Sequence, residues 1–215
     1  ENNGSENFFG HTITSSAEGV YSVYAVDVDN DGDIDVLSAG ISSGVDLYKN
    51  NGSQSFTAQS IDTDYANSVY ALDVDGDGDI DILGANSNDN KIVWYENNYP
   101  TNSFTGRVIT SSADGAKSVF AIDLDRDGDI DVLSADAGDH TVAWYKNNGS
   151  ESFTIHNIAA NNALGVKSVY AVDVDGDGDI DVLSASNNDD RISFYQNDGS
   201  QNFSINYITS NANGA

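Results

Sequence analysis

The chain has 215 residues, with 35 acidic and 8 basic side chains, a net charge of −27 and no cysteine. That charge repels nucleic acid phosphates and anionic membrane surfaces, so neither is expected as a partner, and no apolar run approaches the ~18 residues of a membrane-spanning helix. A disulfide framework is excluded, while 39% hydrophobic residues over this length are enough for a packed core.

In chain order, Glu1 falls inside a repeat with no initiator Met or signal peptide before it, so a processed or partial product of a longer protein is expected. The segment Asn3-Gly-Ser-Glu-Asn-Phe-Phe-Gly-His-Thr-Ile-Thr14 comes first. Ser22-Val-Tyr-Ala-Val26 follows, then the acidic nonapeptide Asp27-Val-Asp-Asn-Asp-Gly-Asp-Ile-Asp35, then Val36-Leu-Ser-Ala39 and Leu47-Tyr48. The series returns with nonapeptides starting at Asp73, Asp123 and Asp173, periods of 46, 50 and 50 residues. Fixed periods of this size mean propellers, solenoids or arrays. The single repeat array over 1–215 divides approximately into 1–49, 50–96, 97–146 and 147–196, with a partial fifth repeat at 197–215.

The complete unit from Asn147 to Gln196 holds four short strands with Gly, Asn, Asp and Ser at every junction. Segments such as Val23-Tyr24-Ala25-Val26 and Ile92-Val93-Trp94-Tyr95 are apolar on both faces, so their sheets lie between two others. The fold class is therefore all-β, with four-stranded antiparallel blades in a β-propeller or in a propeller-like open repeat array. Both arrangements bury the same faces, and closure of a ring stays open at this point.

Each nonapeptide places Asp at positions 1, 3, 5, 7 and 9 and Gly at position 6, a carboxylate density that calls for a cation. A hard ion such as calcium takes six to eight oxygens, which a tight loop supplies from alternate residues and a backbone carbonyl. The candidate ligands are Asp27, Asp29, Asp31, Asp33 and Asp35; Asp73, Asp75, Asp77, Asp79 and Asp81; Asp123, Asp125, Asp127, Asp129 and Asp131; and Asp173, Asp175, Asp177, Asp179 and Asp181. In the first loop the carbonyl is assigned to Asp33. Gly32, Gly78, Gly128 and Gly178 permit the sharp turn. An EF-hand needs Glu at position 12 and flanking helices, whereas position 12 here is Ser38, Gly84, Ser134 or Ser184 between β-branched segments. About four calcium ions, one per blade, would bring the net charge to −19.

Asp-x-Asp-x-Asp-Gly-x-x-Asp between apolar strands at this spacing resembles the FG-GAP or VCBS-type repeat, and the resemblance covers almost the whole chain. It implies calcium at the aspartates of all four loops, as in the blades of integrin α-subunit propellers, and a setting among secreted microbial lectins, lyases and adhesins. Such propellers usually have seven blades, and this chain has four loops.

The first segment is echoed by Asp198-Gly-Ser-Gln-Asn-Phe-Ser-Ile-Asn-Tyr-Ile-Thr209, which makes five copies of the Phe-to-Ile strand for four loops. A surplus edge strand around Phe203 to Ile208 is expected to pair with another subunit, joining copies head to tail into oligomers or filaments. A longer array, or intramolecular closure with one strand left over, are the competing readings. Trp94 and Trp144 recur at one register and are candidate platforms for a carbohydrate partner, with inter-blade packing as the alternative. Asn3, Asn51, Asn148 and Asn202 open N-glycosylation patterns. His11, His140 and His156 share no register, and no catalytic role is expected. Open acidic sites of this kind bind calcium at roughly 10⁻⁴–10⁻³ M, which points outside the cell. The expectation is an extracellular, secreted or cell-surface, calcium-stabilised structural or adhesive protein, with a secreted lectin-like propeller module as the alternative.

Overall fold

The computed structural model describes residues 9–214, and all of its regular structure is β. Blade 1 consists of β1 (Val20–Val26), β2 (Asp35–Gly40), β3 (Gly44–Asn50) and β4 (Phe56–Asp62). Blade 2 holds β5 (Ser68–Leu72), β6 (Asp81–Asn86), β7 (Lys91–Asn98) and β8 (Ser103–Thr110). Blade 3 holds β9 (Ala116–Ile122), β10 (Asp131–Asp136), β11 (Thr141–Asn147) and β12 (Phe153–Ala159). Blade 4 holds β13 (Val166–Val172), β14 (Asp181–Ser186), β15 (Arg191–Asn197) and β16 (Phe203–Thr209). Every blade is an antiparallel meander in chain order.

The strand frame differs from the one expected. The Phe-to-Ile strand closes its blade instead of opening the next. β16 pairs with β15 through Asn197↔Phe203, Gln196↔Ser204 and Tyr195↔Ile205, so the C-terminal strand is the fourth strand of blade 4 and is not surplus. The reason is local. Asp198 to Asn202 form a tight hairpin in which Asp198 Oδ1 accepts from the N–H groups of Ser200 (2.8 Å) and Asn202 (3.2 Å). A short hairpin costs less loop-closure entropy than pairing with a distant strand. At the other end, residues 9–19 form no strand, and the first six residues of the echo, 3–8, lie outside the described residues.

Three cores lie between successive blades. Leu37, Leu47, Val69, Ile82 and Tyr95 join blades 1 and 2. Leu83, Trp94, Val119, Val132 and Tyr145 join blades 2 and 3. Leu133, Trp144, Val169, Val182 and Tyr195 join blades 3 and 4. The innermost strands also exchange hydrogen bonds: Ser22, Ser68 and Ser118 Oγ accept from the N–H groups of Val69 (3.4 Å), Val119 (3.3 Å) and Val169 (3.4 Å). Along the same strands, Tyr24, Tyr70, Phe120 and Tyr170 form a ladder of tilted rings with centroids 4.8, 4.9 and 4.8 Å apart.

Trp94 and Trp144 are each 1% exposed inside these cores. An indole with no open face cannot stack a sugar, so the proposed platforms are packing residues.

Candidate metal centres

Each acidic nonapeptide links the innermost strand of a blade to the second strand. Its path requires left-handed backbone at two positions. Gly32, Gly78, Gly128 and Gly178 at position 6 have φ between +94° and +103°, where a side chain would be strained. Position 4 is also left-handed, at Asn30, Gly76, Arg126 and Gly176.

The carboxylates divide the work by position. The position 1 carboxylate folds the loop over itself: Asp27, Asp73, Asp123 and Asp173 Oδ2 accept from the position 6 glycine N–H at 2.9, 2.9, 3.0 and 3.1 Å. The position 9 carboxylate is buried and joins the loop to its blade. Asp35, Asp81, Asp131 and Asp181 each accept through Oδ2 from the N–H at position 2, and through Oδ1 from the N–H of Asn50, Asn97, Asn147 or Asn197 at 2.8–2.9 Å. The same asparagines donate their Nδ2 to the carbonyl of the Ile at position 8, each at 3.1 Å. This asparagine clamp was missed as a site feature, although its signal, a recurring Asn two residues after Tyr48, Tyr95, Tyr145 and Tyr195, stands in the sequence.

Position 7 turns away. A Cβ on Gly52, Gly149 or Gly199 would lie 2.5, 2.6 or 2.5 Å from a carboxylate oxygen of Asp33, Asp129 or Asp179. These side chains therefore pack on the hairpin before the last strand of the blade, which leaves the backbone of position 7 for a metal. The close approach explains the Gly of the recurring Asn-Gly-Ser. The hairpins also explain its ends, since Asn51 and Asn148 Oδ1 accept from the N–H groups of Ser53 (3.0 Å) and Ser150 (2.9 Å). Both asparagines are exposed, whereas Asn202 Nδ2 donates to Asp198 (3.0 Å) and Asn3 lies outside the described residues.

What remains is a group of oxygens at each loop. Asp27, Asp29 and Asp31, and likewise Asp123, Asp125 and Asp127, bring ligand atoms within 4.8 Å of one another; in the second and fourth loops the sets are Asp73, Asp75 and Asp81, and Asp173, Asp175 and Asp181. Asp29 Oδ1 and Asp125 Oδ1 are buried and accept no hydrogen bond. Burial, with Asp35 and Asp31 alongside, pushes the Asp29 carboxyl above the usual range. Burial likewise pushes Asp81 and Asp131 up to about 7, against the N–H donors that favour ionisation. Such crowding is costly for carboxylates alone and is relieved by a divalent cation. The donor set is all oxygen, in the pattern that suits calcium, so these residues fit that ion. Positions 1, 3 and 5 would hold it in the first and third loops and positions 1, 3 and 9 in the second and fourth, and its charge would neutralise their carboxylates.

The four loops are not equivalent. Lys146 Nζ reaches Asp125 and lies 3.3 Å from Asp127, and Lys49 Nζ lies 3.9 Å from Asp29. At the same register the second loop has Glu96, which gathers with Asp75 and Glu151 while Arg107 bridges Glu96 and Glu151 at 2.6 Å each. The fourth has Gln196, which donates to Asp175.

A model of the FG-GAP-like repeat matches residues 27–83, 73–134, 123–184 and 173–215 in succession. The chain belongs to the FG-GAP-like repeat family. No curated protein matches it. Among solved structures, BBS1N in complex with ARL6DN is similar at a TM-score of 0.61 and 11% identity, over 90% of this chain and 57% of that one. An auxiliary nutrient binding protein from Bacteroides ovatus gives 0.60 and 11%, over 90% and 48%. The FG-GAP chain thus spans about half the length of these structures, and at such identities they show its propeller-like fold alone. A lectin from Agrocybe aegerita that recognises non-reducing terminal N-acetylglucosamine is 19% identical over 90% of this chain and 67% of that one, with a TM-score of 0.47.

Proposed function

We propose that this FG-GAP chain is an extracellular, calcium-stabilised structural or adhesive module, in which the metal fastens each loop to its blade. The observation that carries the reading is the pair of buried, unpartnered oxygens of Asp29 and Asp125 inside converging carboxylates. The first and third loops carry this feature, the second and fourth gather carboxylates at the same place, and on a chain of charge −27 all four are filled at the calcium levels found outside cells. Ions that bind only the folded state add RT ln(1 + [L]/Kd) per site, about 2.7 kcal/mol at one hundred times Kd. The test is a thermal melt in excess EGTA and in calcium: a clear drop in Tm on chelation is expected, and equal melting temperatures would refute the reading.

One observation favours a second reading, carbohydrate binding. Tyr21, Tyr65, Asn67, Lys117 and Lys167 line a cavity of about 390 Å³ at the ends of the inner strands away from the calcium loops. Tyr21 and Tyr65 stand 6.2 Å apart at 51°, and Lys117 and Lys167 face it without a carboxylate partner among the described ion pairs. Tyrosine faces with two ammonium groups suit a saccharide bearing carboxylate or sulfate. Binding of an acidic oligosaccharide that is lost in the double variant Lys117→Gln, Lys167→Gln supports it; equal binding by the variant removes it.

A further inference from the structure

Each inner strand turns alternate residues to its two neighbours, as a strand must. In β5, Val69 and Ala71 enter the core shared with blade 1, while Tyr70 and Leu72 pack on the core shared with blade 3. In β9, Val119 and Ala121 face blade 2 and Phe120 and Ile122 face blade 4. By the same alternation blade 4 presents Tyr170 and Val172 on its outer face, and blade 1 presents Val23 and Ala25.

Among the described residues, neither face is fully covered. Val23 is 69% exposed, while Val69, Val119 and Val169 at its register are each 4% exposed. Val174 is 42% exposed, against 0%, 2% and 1% for Val28, Val74 and Leu124. Ile208 is 59% exposed, against 9% for Ile158. Residues 11–17 cross part of the blade 1 face but do not fill it, leaving an apolar cavity of about 280 Å³ against Val20, Val23, Val36, Ser38 and Tyr48.

The two faces are the two halves of an interface that the chain already makes three times. We propose that the outer face of blade 4 docks on the outer face of blade 1 in a second copy of this chain, repeating the internal contact between blades. Each internal contact supplies its template: a Val-Ala pair enters the preceding blade's core, a Ser Oγ accepts the Val N–H, and an aromatic ring joins the ladder. In the second copy's contact, Val23 and Ala25 enter the core beside Val174 and Ile208. Ser168 Oγ takes the Val23 N–H. Tyr24 continues the ladder beyond Tyr170.

The contact is heterologous, so it propagates head to tail into a ring or a filament. It needs no exchange of β16, which stays in its own blade. Apolar patches of this kind are rarely left bare on soluble proteins. The opposing effect is charge, because each copy carries −27; salt and bound calcium screen or neutralise it, so association tightens with both.

The two readings fail separately, since a chain that stays monomeric in calcium can still lose Tm in EGTA, and one that melts equally in EGTA and calcium can still associate. The docking is tested by sedimentation velocity in calcium from micromolar to sub-millimolar protein. The parent chain is expected to grow with concentration. Val23→Glu and Ile208→Glu, at exposed positions outside the acidic loops where Tm is expected to match the parent's, are each expected to remain monomeric. An equimolar mixture, which has one intact face on each partner, is expected to form a dimer and stop there. A parent chain that stays monomeric, a variant that associates as the parent does, or a mixture that does not pair would overturn it.

Discussion

At the scale of single residues, Lys146 acts as a tethered cation in the third loop. Its ammonium group meets Asp125 and Asp127, where a metal would otherwise collect the whole charge. A partly exposed pair of this kind is worth about 1 kcal/mol, so Lys146→Gln should raise calcium affinity at that loop roughly fivefold, as measured by calorimetric titration. Gln196 already occupies the corresponding place in the fourth loop. Asp136 offers a second residue-level test. Burial first, then Asp139 and Asp114, push its carboxyl up to about 7, although Ser134 Oγ donates to it at 2.9 Å. A raised folded pKa means that the folded state keeps a proton that the unfolded chain has lost. The contribution of Asp136 to stability is therefore full below about pH 4 and is lost as pH rises towards 7. Asp136→Asn should flatten that slope and stabilise the protein above pH 7 by up to about 4 kcal/mol, read from urea unfolding across pH. Asn86 supplies the precedent, since it holds the same register in blade 2 and donates to Tyr95 Oη at 3.2 Å. The acidic loops were legible in the sequence because position and spacing repeat. Asp136 was not, because its counterparts are Gly40, Asn86 and Ser186, and only burial gives it a property worth naming.

At the scale of elements, the loop and the asparagine that ends the third strand form one unit through the position 9 aspartate. Asp131→Ala would strip both the Leu124 and the Asn147 N–H groups of their acceptor in a buried place. A loss of about 3 kcal/mol is expected in EGTA, where calcium binding plays no part, measured by denaturant unfolding. Asp129→Ala, at position 7, should cost far less, because that side chain lies on the hairpin at Gly149. Strand content and the division into fours were readable from apolar runs and turn residues. The frame was not. Counting five Phe-to-Ile segments against four loops made the last one look spare, whereas the tight Asp198 to Asn202 hairpin assigns it to blade 4.

At the scale of the whole molecule, the charge of −27 and the stack of blades oppose each other, and on the proposed reading calcium and salt set the balance. Without calcium, raising NaCl from low to about physiological strength, where the Debye length falls to ~8 Å, should raise Tm. With calcium bound the same change should have a smaller effect, as scanning calorimetry would show. The repeat, the all-β class and the acidic loops were written in local patterns, because a turn or a half-buried strand needs only its neighbours in the chain to declare itself. The burial of Trp94 and Trp144, the clamp by Asn50, Asn97, Asn147 and Asn197, and the bare faces at Val23 and Val174 were decided only by the stacking of blades, because burial is a relation between segments about fifty residues apart that identical local sequences cannot distinguish.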